Sequence, residues 1–141
     1  MSYVRTIPVE FNHCDPAGIV FYPRYFEMIN STIENFFLEI VEYPFRRMMI
    51  EGFGVPTVRI ETEFRAPSRL GDQLDFALEV LKQGNSSVSF AISARCMGEL
   101  RLEAQMTLVW IGANGRAARW PAAIRQVLKS HEKGAYHAKP A

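Results

Sequence analysis

Polar and apolar positions alternate over residues 4–11, with Ile7, Val9 and Phe11 on one side, which predicts a half-buried strand. Pro8 brings no N–H to that strand and points to a sheet edge or a backbone position left unbonded. The period then changes. From residue 23 to about 40, Tyr25, Phe26, Ile29, Ile33, Phe36, Phe37 and Ile40 recur at spacings of three and four, which predicts an amphipathic helix about five turns long. Arg24, Glu27, Asn30, Ser31, Glu34 and Asn35 fall largely off its apolar face. Pro44 opens a shorter helical piece over residues 45–51, ended by Gly52 and Gly54 and placed to cap a groove beside the long helix.

Alternation returns in four further strands, over residues 55–64, 73–82, 87–96 and 100–111. The apolar positions are Val58, Ile60 and Phe64 in the first, Leu74, Phe76, Leu78 and Val80 in the second, and Val88, Phe90, Ile92 and Ala94 in the third. Gly84-Asn85-Ser86 marks a tight hairpin, and Met97-Gly98-Glu99 a second turn. A short helix over residues 120–129 closes the pattern. The expected class is α+β, in the order β-α-β-β-β-β. A five-stranded antiparallel sheet and a long helix each have one apolar face, and laying one on the other buries both. Residues 1–130 are read as one domain and residues 131–141 as a flexible tail, with His131 and His137 as surface residues in it.

Composition narrows the function classes. With 141 residues, 48% hydrophobic and 22% charged, the chain is expected to be an ordinary soluble protein with a sizeable core. A net charge of +1 gives no reason to expect nucleic acid as a partner. No run approaches the roughly 18 apolar residues of a membrane span, and the first residues lack the pattern of a signal peptide. A cytoplasmic location with no membrane partner is therefore expected. Cys14 and Cys96 make no metal-type pair and read as two reduced thiols, Cys96 in the core. No cluster of His, Cys and carboxylates has ligand spacing, so neither a metal nor another cofactor is expected.

The stretch whose chemistry packing does not explain is Asn12-His13-Cys14-Asp15-Pro16-Ala17-Gly18-Ile19-Val20-Phe21-Tyr22-Pro23. It sets a carboxylate before a turn and then starts the long helix, with Pro23 expected at its first position, where a missing N–H is no loss. Free N–H groups and aligned peptide dipoles at a helix start attract an oxygen that is gaining negative charge. Asp15 a few residues upstream is placed to attack a carbonyl polarised there, or to direct water at it. It is equally an ordinary turn aspartate, whose side chain bonds backbone N–H groups two or three residues on. Cys14 is a weaker nucleophile, because a neighbouring carboxylate suppresses the thiolate. His13 has no partner that the sequence identifies and reads as structural. Among the aromatic residues Phe21, Tyr25, Phe26 and Phe36, those near the helix start are candidates for pocket lining. Basic residues fall in two groups, Arg65 with Arg69, and Arg116, Arg119, Arg125 with Lys129.

The segment from Cys14 to Pro23, with Tyr25 following, resembles the active-site segment of the 4-hydroxybenzoyl-CoA thioesterase family of hot-dog-fold proteins. The element order agrees with that fold, in which the sheet wraps around the helix. The resemblance implies an acyl-CoA thioesterase, with an aromatic, 4-hydroxybenzoyl-like acyl group favoured. Asp15 matches the family's catalytic aspartate, as nucleophile or general base, and the backbone N–H of Tyr22 the donor to the thioester oxygen. Gly18, Ile19, Val20, Phe21, Pro23 and Tyr25 are then expected against substrate. Ile19 stands where some related hot-dog families carry a histidine, which favours a lone aspartate. Basic residues at the mouth of the groove would suit the phosphates of CoA. The exposed edges of such a sheet, and the family's own habit, imply a homodimer at least and a homotetramer as the expected assembly, each groove lined by two chains. The alternatives are a short-chain aliphatic acyl-CoA thioesterase, a non-catalytic acyl-CoA-binding protein and a hydratase. The last lacks a histidine partner for Asp15.

Overall fold

The computed structural model describes residues 2–133. Its elements are β1 (Tyr3–Pro8), α1 (Tyr22–Phe36), α2 (Phe45–Glu51), β2 (Thr57–Phe64), β3 (Gln73–Gln83), β4 (Ser87–Cys96), β5 (Glu99–Val109) and α3 (Ala122–His131). The strands form one antiparallel sheet in the order β1-β3-β4-β5-β2, with Phe76 opposite Ala94 and Ile92 opposite Ala104. This is the hot-dog arrangement expected from the sequence.

Alternation puts Leu74, Phe76, Leu78, Val80, Val88, Phe90, Ile92, Leu102 and Leu108 on one face of the sheet, all buried. Against that face α1 sets Tyr25, Met28, Ile29, Thr32, Ile33 and Phe36, and Phe36 meets Phe90 edge to face at 5.6 Å. Each such side chain stabilises the fold by roughly 1.5–3 kcal/mol through removal of apolar surface from water. Thr32 is tolerated there because its hydroxyl donates to Met28 O at 2.9 Å. The helix does not stop at Phe36. A wider π turn over Phe37–Val41 follows, and Glu42, in the left-handed region at φ 59°, ends it.

Several sequence expectations are corrected. The first strand ends at Pro8, on an edge as Pro8 suggested, and the chain turns through Phe11–His13 instead of continuing. Phe11 is 83% exposed and not on the core face. The long helix starts at Tyr22, which makes Pro23 its second residue. Helix α2 lies beside the far end of the long helix, where the ring of Phe45 is 5.7 Å from that of Phe37. It lies at the other end of β5, where Phe53 stacks on Trp110 at 5.0 Å and Trp110 meets Trp120 at 5.4 Å. Strand β2 is an edge strand, and Val58, Ile60 and Phe64 stay exposed rather than buried. His131 belongs to α3 and packs edge to face on Phe36 at 6.2 Å. The expected tail beyond Lys133, with His137, lies outside the described residues. Both cysteines are free, with Cys96 in the core. Among the described residues no helix is long and apolar enough to cross a membrane.

Candidate active site

Residues 14–20 fold as a small hairpin. Cys14 pairs with Val20, Asp15 N–H donates to Ile19 O at 3.1 Å, and Phe21 N–H donates to His13 O at 2.9 Å. Gly18 N–H closes the turn on Asp15 O at 2.9 Å. Gly18 holds φ at 82°, which glycine adopts without strain. The Asp15 side chain takes part in the turn, since Oδ1 accepts from Ala17 N–H at 2.9 Å. Among the described residues nothing donates to its Oδ2.

The hairpin is docked on the segment before β3. Val20 N–H donates to Ser68 O at 2.9 Å and Ile19 bridges Arg69. From Val20, which is buried, the chain passes through extended Phe21 into α1. No side chain caps this helix start. Tyr22 N–H has no acceptor among the described residues and is left as a free donor at the positive end of the helix dipole.

A pocket of about 590 Å³ opens at that point. Ile19, Val20, Tyr22 and Tyr25 form one wall, and Phe64, Arg65, Ala66 and Pro67 the other. The Phe64 ring lies 5.7 Å from that of Tyr25, 6.1 Å from Tyr22 and 6.3 Å from Phe26. Tyr22 remains 58% exposed and Phe64 48% exposed, so the aromatic wall is open to solvent. Asp15 does not line this pocket. It opens on a groove of about 460 Å³ with Phe11, Cys14, Pro16, Gly18 and Leu70. The expected residues are thus gathered at one hairpin, but on its two sides, Asp15 and Gly18 on one and Ile19, Val20, Tyr22 and Tyr25 on the other. Phe21 and Pro23 lie between hairpin and helix and line neither cavity.

Other candidates separate from the site. His13 Nδ1 accepts from Glu10 N–H at 2.8 Å, which ties the ring into a local turn. The same ring lines a cleft with Arg5, Glu27 and Ser31 rather than the Asp15 groove. Phe36 is in the core. Arg119, Arg125 and Lys129 line a groove over Trp120, at the α2 end of the sheet, whereas Arg65 stands in the wall of the aromatic pocket. Phe64, Ala66, Pro67, Phe11 and Leu70 were not singled out as site residues, because nothing local to them marks a cavity.

The model of the Thioesterase-like superfamily matches residues 9–128. The 4-hydroxybenzoyl-CoA thioesterase of Pseudomonas sp. (strain CBS-3) is 32% identical over 68 residues, which cover 47% of this chain and 48% of that protein. The match therefore spans about half the length of that relative. Among solved structures, Slr0204, a 1,4-dihydroxy-2-naphthoyl-CoA thioesterase from Synechocystis, superposes with a TM-score of 0.84 at 18% identity, covering 91% of this chain and 96% of the other. The BH1999 gentisyl-coenzyme A thioesterase gives 0.81 at 23% identity, covering 87% and 99%. At these identities the likeness is one of fold.

Proposed function

Since the chain belongs to the thioesterase-like superfamily, matched over residues 9–128, we propose that it is an acyl-CoA thioesterase that hydrolyses an aromatic acyl thioester to free acid and CoA. The observation that carries this reading is a Tyr22 N–H without an acceptor among the described residues, at the start of α1 in a residue that lines an apolar pocket, with an aspartate whose Oδ2 is unbonded on the other side of the same hairpin. The thioester oxygen accepts from Tyr22 N–H and is stabilised as it gains charge. Asp15 Oδ2 then attacks the carbonyl carbon and releases the CoA thiolate, leaving a mixed anhydride for water to cleave, or takes a proton from water that attacks directly. The rings of Tyr22, Tyr25 and Phe64 favour an aromatic acyl group over a short aliphatic one. Arg65 at the pocket and Arg69 beside the hairpin are better placed for CoA phosphates than the cations of α3.

We also propose that the working unit is at least a homodimer, in the cytoplasm, and a homotetramer when complete. Strand β2 is an unpaired edge with Val58, Ile60 and Phe64 exposed, and a second copy added there would cover Phe64 beside the pocket. The Asx bond of Asp15 supports one competing reading, a non-catalytic acyl-CoA binder in which Asp15 only builds the turn.

The test is release of free thiol from aromatic and aliphatic acyl-CoAs by wild type and Asp15→Asn. We expect turnover with aromatic substrates that the variant loses while still binding acyl-CoA. Equal turnover by the two proteins removes Asp15 from the chemistry, and binding without turnover in wild type leaves the binder.

A further inference from the structure

Arg101, in β5, directs its carbonyl oxygen and one guanidinium nitrogen, Nη1, at one segment. Its carbonyl oxygen accepts from Arg65 N–H at 2.8 Å and from Ala66 N–H at 3.2 Å. Its Nη1 donates to Pro67 O and Ser68 Oγ at 3.1 Å each, and to Asp72 Oδ2 at 2.8 Å. Glu99 Oε1 stands 2.6 Å from Nε as a charge contact. The Arg101 side chain is 12% exposed, Asp72 28% exposed and Ser68 fully buried, so these contacts are partly shielded from water. Asp72 Oδ2 also accepts from Arg69 N–H at 2.9 Å. Its backbone ties the segment to the end of β1, because Val9 N–H donates to Asp72 O at 2.8 Å.

The segment so held, residues 65–72, touches both sides of the hairpin. Arg65, Ala66 and Pro67 form a wall of the aromatic pocket, and Leu70 lies in the Asp15 groove. Between them, Ser68 O and Arg69 hold Val20 and Ile19. We infer that Arg101, with Asp72 as its counter-ion, is a positioning residue that fixes the hairpin against this segment and so sets where Asp15 stands relative to Tyr22 N–H. The catalytic consequence rests on the thioesterase reading, whereas the ordering of the hairpin does not. Asp72 is held below the ordinary carboxylate range first by the Arg101 bond and then by Arg69 N–H, as an ionised partner of a half-buried guanidinium should be.

One nitrogen makes all three side-chain hydrogen bonds, and an ammonium has three donors. Lysine should therefore restore in part what methionine removes. In Arg101→Met we expect amide hydrogen exchange at Asp15, Gly18 and Val20 to rise roughly tenfold or more, with β4 amides changed less than about twofold. In steady-state thiol release, kcat should fall by a similar factor with a smaller change in KM, because the displaced group acts in the transition state. Arg101→Lys should recover much of both effects. Asp72→Asn, a milder change that keeps the amide oxygen as an acceptor, should move them the same way by less. Unchanged exchange in the hairpin, exchange raised equally in β4, or a lysine variant no better than methionine would each overturn the inference. Failure of wild type to cleave any acyl-CoA would remove the thioesterase reading, and the exchange data would still decide whether Arg101 holds the hairpin.

Discussion

Replacing Gly18 with alanine isolates the backbone strain of the turn that carries Asp15. A Cβ built on Gly18 meets no atom within 4 Å, so crowding contributes nothing to the outcome. The backbone does contribute, because φ is 82° and an L-residue pays roughly 1–2 kcal/mol for the left-handed region. Alanine also restricts the unfolded chain, which returns roughly 0.4–1 kcal/mol. The net loss is about 1 kcal/mol. With a urea slope of about 2 kcal/mol/M, the unfolding midpoint should fall by about 0.5 M. Gly18→Asn separates the two possible causes. Asparagine is larger but tolerates positive φ, so it should destabilise less than alanine. Urea unfolding of the three proteins, with equal slopes, gives the ranking wild type, then Asn, then Ala. If asparagine were as damaging as alanine or worse, crowding and not φ would govern Gly18. An alanine variant as stable as wild type would mean that the turn relaxes.

Tyr22→Phe should keep thiol release within about twofold of wild type, since the proposed donor is the backbone N–H and not the phenol; a loss beyond about tenfold would move the role to the hydroxyl. Asp72 has a depressed pKa in the folded state, so its stabilising contribution is complete above the ordinary value of 3.8 and is lost as pH falls through the lower folded value. Acid unfolding curves of Asp72→Asn should accordingly lie below wild type at neutral pH and converge with it below that range. Tyr3 is pushed up to about 12, mainly by burial and then by its hydrogen bond to Glu39. Its contribution is complete below the ordinary value of 10.0 and disappears as pH rises through about 12. Tyr43 is raised as well, by burial and its hydrogen bond to Glu51, so ultraviolet titration should show a late component that shrinks in Tyr3→Phe without disappearing, and a component unchanged in that variant would contradict the assignment to Tyr3.

Strands β3 and β4 and the buried face of α1 were legible because their signal is local. A period of two or 3.6 is enough to sort Leu74 from Asp75, or Ile29 from Asn30. Phe11 was misread for the same reason. It keeps the alternation of Ile7 and Val9, while the local bonds between Glu10 and His13 turn the chain before it can pair. The π turn after Phe36 escaped because its apolar residues keep helical spacing while the hydrogen bonds widen. At the site, the hairpin residues announced themselves, but their walls did not. Phe64 reaches Tyr22 and Tyr25 only because β2 crosses the sheet to pair with β5, a long-range event that no window around either segment encodes. Arg101 alternates like its neighbours on β5, and nothing in that pattern tells that its side chain folds onto residues 67–72.

The sequence set two readings of Asp15 against each other, turn residue and catalyst, and under the proposed mechanism they fall to different oxygens. Oδ1 is engaged with Ala17 N–H at 2.9 Å. A carboxylate has two oxygens and about four acceptor positions, so this bond leaves Oδ2 chemically available. The same bond removes side-chain rotation, and the turn fixed by Pro16 and Gly18 removes backbone freedom. A nucleophile or base at Oδ2 would be oriented during folding rather than during reaction. Asparagine and alanine should then divide the two roles. Asp15→Asn keeps an Oδ1 acceptor for Ala17 N–H and loses the charge, so it should unfold within about 0.5 kcal/mol of wild type while losing hydrolysis. Asp15→Ala loses the turn bond as well and should be less stable by about 0.5–1.5 kcal/mol. Urea unfolding and thiol release measured on both variants decide the matter. An asparagine variant as unstable as alanine would mean that the charge, and not the geometry of Oδ1, holds the turn, and the separation of roles would fail.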